Sequence, residues 1–134
     1  MTIFDAKSPK SLNYKRRTLE RAERSLLCSP FQVPLFEQMR FSRVPLKAIA
    51  GENGIQYGYT RRSLSELAAE NALLWLIQVG VLRREVDGQG ITDSFRLTPL
   101  GRQLVEKYQG SYPRHPSWLD HFYNAVSRWF RLPF

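Results

Sequence analysis

The sequence predicts a mostly α fold with one small β-hairpin, and three observations carry that expectation. Apolar residues recur at helical spacing in several stretches bounded by caps and breakers. Val81 to Val86 and Ser94 to Leu97 are strand-like runs, and Asp87-Gly88 with Gly90 between them supplies the chemistry of a hairpin turn. A chain of 134 residues, 43% hydrophobic and 24% charged, suits a single core with attached helices.

In chain order, residues 1–10 contain Ser8-Pro9 and no periodicity, which reads as a flexible arm. From Leu12 to about Leu27, Leu12, Leu19, Ala22 and Leu26 share one helical face, with Arg17, Arg21 and Arg24 on roughly the opposite one. Ser11 is the candidate cap, and Arg16/Glu20 and Glu20/Arg24 are supporting pairs one turn apart. Ser29-Pro30 ends this helix. A second runs through Phe36 and Met39 to Arg40, its regular turns starting near Pro34. Pro45 opens a short helical turn through Leu46 and Ile49, stopped by Gly51.

Residues 51–62 hold three glycines and two tyrosines with no helical stripe, which predicts a loop. Ser63-x-x-Glu66 reads as a capping box for a strong helix to about Val79, ended at Gly80. After the hairpin, Thr98-Pro99 caps a helix to about Gln109, and Ser117-x-x-Asp120 repeats that logic for a last helix to about Arg131. The organisation expected is therefore an arm (1–10), a main domain (11–110) that includes the basic first helix, and an amphipathic aromatic helix (111–134).

The formal charge of +8 favours phosphate-rich or anionic-membrane partners through long-range attraction. Acidic groups nevertheless outnumber basic ones in residues 63–97, so the surplus lies outside the central helix and hairpin. Cys28 is the single cysteine, which forbids an internal disulfide and makes a reduced cytoplasm the default compartment. The N-terminal residues lack a signal-like apolar region. The longest apolar run, Ala72 to Ile77, is far below a membrane span, so neither secretion nor membrane crossing is expected.

Residues 73–108, read as helix, hairpin and helix, resemble the distal half of a winged helix-turn-helix. Trp75 to Arg102 is similar to the end of bacterial regulators of the MarR and PadR kind: Leu76 and Gly80 close a helix, Val81-Leu82-Arg83-Arg84 forms a basic strand, Asp87 to Gly90 a turn, and Leu97-Thr98-Pro99-Leu100-Gly101 opens the next helix. This resemblance implies a winged-helix domain with additional N- and C-terminal helices, a role in transcription regulation and a dimer built by the last helix. It departs from the regulators at residues 51–62, a long loop where they have a tight turn. The whole sequence is also similar to a group of small cyanobacterial proteins with no assigned role.

The expected function is non-catalytic nucleic-acid binding, with Arg17, Arg21, Arg24, Arg61, Arg62, Arg83, Arg84 and Arg96 meeting phosphates. The ordinary alternative for these arginines is a solvated, salt-bridged surface. Tyr57 and Tyr59 could stack on unpaired bases or merely cover the core edge. The helix from Ser63 to Val79 has no Lys or Arg. With Leu64, Ala68, Trp75 and Val79 assigned to the core, its outward stripe is Glu66, Glu70, Leu73 and Ile77, which suits an apolar partner better than a phosphate backbone.

A second expectation follows, that of an interaction module using this stripe and the last helix. In that helix Trp118, Phe122, Trp129 and Phe130 lie on the apolar side. That side must be covered by the chain's own core, a second copy, another protein or, less favoured, a membrane surface. Enzymatic activity is not expected, nor any cofactor or metal. The only histidines are His115 and His121, no zinc-ligand spacing occurs, and the Gly88-x-Gly90 turn is no phosphate loop.

Overall fold

The computed structural model describes residues 14–108 and 118–130. They form α1 (Arg16–Cys28), α2 (Val33–Met39), β1 (Val44–Pro45), α3 (Leu46–Ile49), α4 (Gly51–Gln56), α5 (Glu66–Gln78), β2 (Leu82–Asp87), β3 (Gly90–Leu97), α6 (Pro99–Glu106) and α7 (Trp118–Phe130). The result is mostly helical, with one three-stranded antiparallel sheet in the order β1-β3-β2. Leu82 pairs with Leu97 and Arg83 with Arg96, and the register shifts between Arg84 and Val86.

The hairpin, the helix after it and the last helix lie where the sequence puts them. The arm falls outside the described residues, and the first helix starts at Arg16 with Lys15 as its N-cap rather than at Leu12 after Ser11. Three further features differ. β1, which pairs Val44 with Phe95, was not anticipated, because two residues are too few to show alternation. Gly51 stops α3 as expected, but a second helix rather than a loop follows it. Its φ of 66° turns the chain, its N–H donates to the Leu64 carbonyl at 2.7 Å, and α4 begins there. The expected loop at 51–62 is thus half helix. Finally, the cap of α5 is Ser65, whose hydroxyl accepts from the Ala68 N–H at 3.1 Å, rather than Ser63. Glu66 then occupies the first helical position and cannot close the reciprocal box.

One core joins these elements. Leu35, Phe36 and Met39 of α2, Ile49 of α3, Leu73 and Leu76 of α5, and Phe95 of β3 are almost completely buried. Burying such side chains gives about 1.5–3 kcal/mol each relative to exposure. Arg40, 15% exposed, ties α2 to α6 by reaching Glu37 at 3.1 Å and Glu106 at 3.4 Å. Thr98 is a junction. Its hydroxyl accepts from the Gly101 N–H at 3.0 Å, capping α6, and donates to the Gly80 and Val81 carbonyls at the start of the ribbon.

Two glycines permit backbone approaches that no side chain allows. A Cβ on Gly101 would stand 2.1 Å from the Val81 carbonyl oxygen, and one on Gly54 would stand 2.0 Å from that of Ile49. Gly88, in the hairpin turn, has open space instead. Urea titration should therefore show Gly101→Ala and Gly54→Ala each destabilised by about 1–3 kcal/mol, with Gly88→Ala within about 0.5 kcal/mol of wild type. Equal effects at all three positions would contradict these close approaches.

Candidate functional site

α5 is the helix that a nucleic-acid reading would aim at a groove. It packs against α1, α3 and β2, which cover a wide arc of its surface. Ala69, Ala72, Leu73, Trp75 and Leu76 are buried, whereas Glu66, Leu67, Ala68, Asn71, Leu74 and Gln78 are exposed. The outward stripe expected at Glu66, Glu70, Leu73 and Ile77 is corrected accordingly. Leu73 is wholly buried, Ile77 packs partly against the core, and Ala68 lies outside it. Because Leu67 and Leu74 are apolar but face solvent, the pattern had no unique phase, and Trp75 alone could not fix it. The exposed surface of α5 has no cation.

The ribbon arginines are neutralised by their neighbours. Glu85, 15% exposed and placed at the register shift, accepts from Arg83 Nη1 at 3.0 Å and lies 3.8 Å from Arg96 Nη1. Arg84 sits 4.9 Å from the centre of the Phe95 ring, donates to the Thr92 carbonyl at 3.3 Å, and pairs with Asp93 at 3.1 Å and Glu70 at 3.9 Å. Pairing that satisfies a guanidinium within the fold removes it from competition for phosphate.

Arg61 and Arg62 are exposed in the segment between α4 and α5. Beside them Tyr57 and Tyr59 stack on one another with ring centres 5.3 Å apart. Tyr59 packs against the core and its carbonyl accepts from the Gln32 N–H at 2.9 Å, while Tyr57 is exposed. Burial, and secondarily Tyr57, pushes the Tyr59 hydroxyl above the ordinary tyrosine value, so it stays protonated at neutral pH.

On α1, Ala22, Ser25 and Leu26 face inward; Arg17 is exposed and Arg21 and Arg24 are half-buried. Lys15, Arg17, Thr18 and Arg21 line a cleft of about 290 Å³ with no carboxylate among them. Another cleft, of about 570 Å³ between α3, α4 and the start of α5, sets Lys47 against Glu52 and Glu66 and offers no basic site. The eight arginines thus occupy three elements: α1, the α4–α5 segment and the ribbon. Arg17, Arg61 and Arg62 are exposed, Arg21 and Arg24 are half-buried, and the ribbon arginines are held by carboxylates.

α7 is held by its polar edge. The Trp75 indole N–H donates to Asn124 Oδ1 at 3.1 Å, Arg128 donates to the Asn71 carbonyl at 3.4 Å, and Ser127 is wholly buried. Arg24 of α1 lies 5.6 Å from the centre of the Tyr123 ring. As a consequence Phe122 is 54% exposed and Trp129 82% exposed. Of the four coverings expected for the aromatic side, the core formed by the described residues does not cover these two. The side chains of Trp118 and Phe130 lie outside those described. Amphipathicity alone signalled a face in need of cover; Asn124 was the residue that could have shown which side turns inward, since a buried indole N–H needs an acceptor.

Among the described residues no three His, Cys, Asp or Glu side chains are gathered to hold a metal ion. A family model, Npun_F0494-like, matches residues 12–128. The chain belongs to the Npun_F0494-like family. This agrees with the similarity to small cyanobacterial proteins noted above. No curated protein and no solved structure matches this family member.

If the ribbon charges serve the fold, Arg84→Ala should lower stability by about 1–2 kcal/mol in chemical denaturation, through loss of a charged hydrogen bond and the Phe95 stack. Arg61→Ala with Arg62→Ala should stay within about 0.5 kcal/mol. The reverse order would mean that the ribbon pairs contribute nothing and remain available to an outside anion.

Proposed function

We propose that this protein is a non-catalytic adaptor, a winged-helix scaffold that docks an apolar partner surface through α7. The observation that carries the reading is the orientation of α7, whose polar edge is held by α5 and whose Tyr123 meets Arg24 of α1 while Phe122 and Trp129 face solvent. Contiguous exposed aromatics mark interaction sites, because a soluble surface gains nothing by presenting them to water. Leu67 and Leu74 flank Asn71 on the exposed side of α5, so further apolar groups adjoin the helix where Arg128 reaches Asn71.

The scaffold reading has support of its own. A helix, a short strand, two helical turns, a longer helix and a two-stranded ribbon follow one another, and the first strand pairs with the last in the order β1-β3-β2. Winged-helix proteins are assembled in that sequence, which the Leu97-Thr98-Pro99-Leu100-Gly101 resemblance also implies. Of the partner-binding residues expected from sequence, Phe122 and Trp129 remain in this reading. Leu73 leaves it as a core residue, and Glu70 is engaged by Arg84.

A second reading, nucleic-acid binding in a transcriptional regulator, is favoured by one observation: Arg61 and Arg62 are exposed beside the Tyr57–Tyr59 stack, at the entrance to α5. Backbone contacts there would position nucleic acid without reading its sequence. Fluorescence anisotropy on duplex and single-stranded DNA separates the two. The adaptor reading expects only weak association, lost between about 50 mM and 200 mM salt. Tight binding that survives physiological salt and is abolished by Arg61→Ala with Arg62→Ala would move the function to the second reading.

The adaptor reading also makes a stability forecast. Serine, phenylalanine and tryptophan have similar helix propensities, so Phe122→Ser with Trp129→Ser should change unfolding free energy by less than about 0.5 kcal/mol per site while reducing binding of an apolar dye. A loss above about 2 kcal/mol would place these rings in the core and overturn the reading.

A further inference from the structure

We infer that α7 and α1 together form a binding surface for an anionic lipid membrane. This rests on the adaptor reading, of which it names the partner. Phe122, Ala125 and Trp129 lie three and four residues apart on the exposed side of a 13-residue helix, about 20 Å long. A helix of that kind lies in the plane of a membrane interface, sinking its apolar face to the level of the headgroups and upper acyl chains, where aromatic rings are favoured. No helix among the described residues is long and apolar enough to cross a membrane, so lying on the surface is the mode available to α7.

α7 alone is poor in cations for this role. Arg128 is the one basic residue in its last turn, and Asp120 stands in its first. The structure supplies the missing charge from the neighbouring helix. α1 packs along α7, Arg24 stacks on Tyr123, and Tyr123 meets Phe122 with ring centres 5.7 Å apart. Along α1, Arg17, Arg21 and Arg24 follow at helical spacing, and Lys15, Arg17, Thr18 and Arg21 line the cleft of about 290 Å³. Arg21 Nε is buried without a hydrogen-bond acceptor among the described residues. A cleft lined by donors on α1 and exposed rings on α7, the helix packed against it, match the two halves of an anionic phospholipid: phosphate for the cations and acyl chain for the rings.

A second copy of the chain fits this surface less well. A stable interface buries about 800 Å² per partner, whereas the exposed apolar groups of one short helix offer on the order of a few hundred Å². Pairing α7 with its copy would also bring together two α1 helices from chains of formal charge +8. A bilayer has neither limit, since it deforms around the rings and carries opposite charge.

The test uses the full chain and vesicles of phosphatidylcholine alone or mixed with phosphatidylglycerol, read by flotation and by quenching of tryptophan fluorescence with brominated lipid. Wild type should float with the anionic vesicles and stay behind with the zwitterionic ones, and brominated acyl chains should quench it. Phe122→Ser with Trp129→Ser, and separately Lys15→Ser with Arg17→Ser, should each weaken flotation about tenfold or more, with melting temperatures near wild type to show that both variants fold. Added salt should weaken wild-type binding only in part, because the apolar contribution is unscreened.

No flotation with anionic vesicles overturns the membrane assignment, as does flotation indifferent to both variants. If the chain fails to float but light scattering finds a dimer that Phe122→Ser with Trp129→Ser dissociates, a second copy covers the face; the membrane assignment falls and the adaptor reading stands. If the chain fails to float and the serine variant melts far below wild type, both fall. Duplex DNA bound tightly through Lys15 and Arg17, without vesicle binding, likewise ends the membrane assignment.

Discussion

The hydrogen bond from the Trp75 indole to Asn124 is the constraint from which the rest of the surface follows. Trp75 is nearly buried at the heart of α5, and a nitrogen withdrawn from water there costs about 1–3 kcal/mol if left without an acceptor. Asn124 meets that need only if α7 presents its polar edge. Ser127 follows it into the interior, Arg128 reaches the α5 backbone, and the rings on the far side are left in solvent. One polar contact thereby accounts for Phe122 and Trp129 of the most aromatic helix standing in solvent, against ordinary amphipathic packing.

The same economy governs charge. Cross-strand pairing sets Arg83 against Arg96, an arrangement that would repel, and Glu85 resolves it by accepting from the first and standing near the second. Arg84 is held on the other side by Phe95, Thr92 and Asp93. Net positive charge, so prominent in the composition, is therefore spent locally on the ribbon and left exposed on α1 and the segment before α5. A count of arginines cannot separate these fates, because the separation depends on which carboxylate folds back onto which cation.

Much of the architecture was legible from residues that act locally. Thr98-Pro99, Asp87-Gly88 and Gly80 each impose a backbone conformation on their own few residues, and the elements they bound appear where expected. What escaped depended on partners distant in sequence. β1 exists only because Phe95 and Ser94 lie alongside Val44 and Pro45. A helix rather than a loop follows Gly51, whose N–H finds its acceptor at the distant Leu64 carbonyl. Leu73 is interior because α5 is enclosed by α1, α3 and β2, a breadth of cover that no single stripe foretells. At the candidate site, individual residues such as Phe122, Trp129 and Arg17 were recognisable. The packing of α1 on α7, which sets Arg24 over the Tyr123 ring, was not, since nothing in a linear pattern says that residues about a hundred positions apart will meet.

The brevity of β1 has a protective consequence. A sheet grows from molecule to molecule through unpaired backbone at its margins, and a chain displaying bare aromatic rings concentrates its copies wherever those rings gather. Here one margin is two residues long and ends in Pro45, which has no N–H to offer, while the other bears Arg83, Arg84 and Glu85. Molecules crowded side by side would find no template for fibrous accretion, so this chain can leave Phe122 and Trp129 uncovered without inviting its own aggregation.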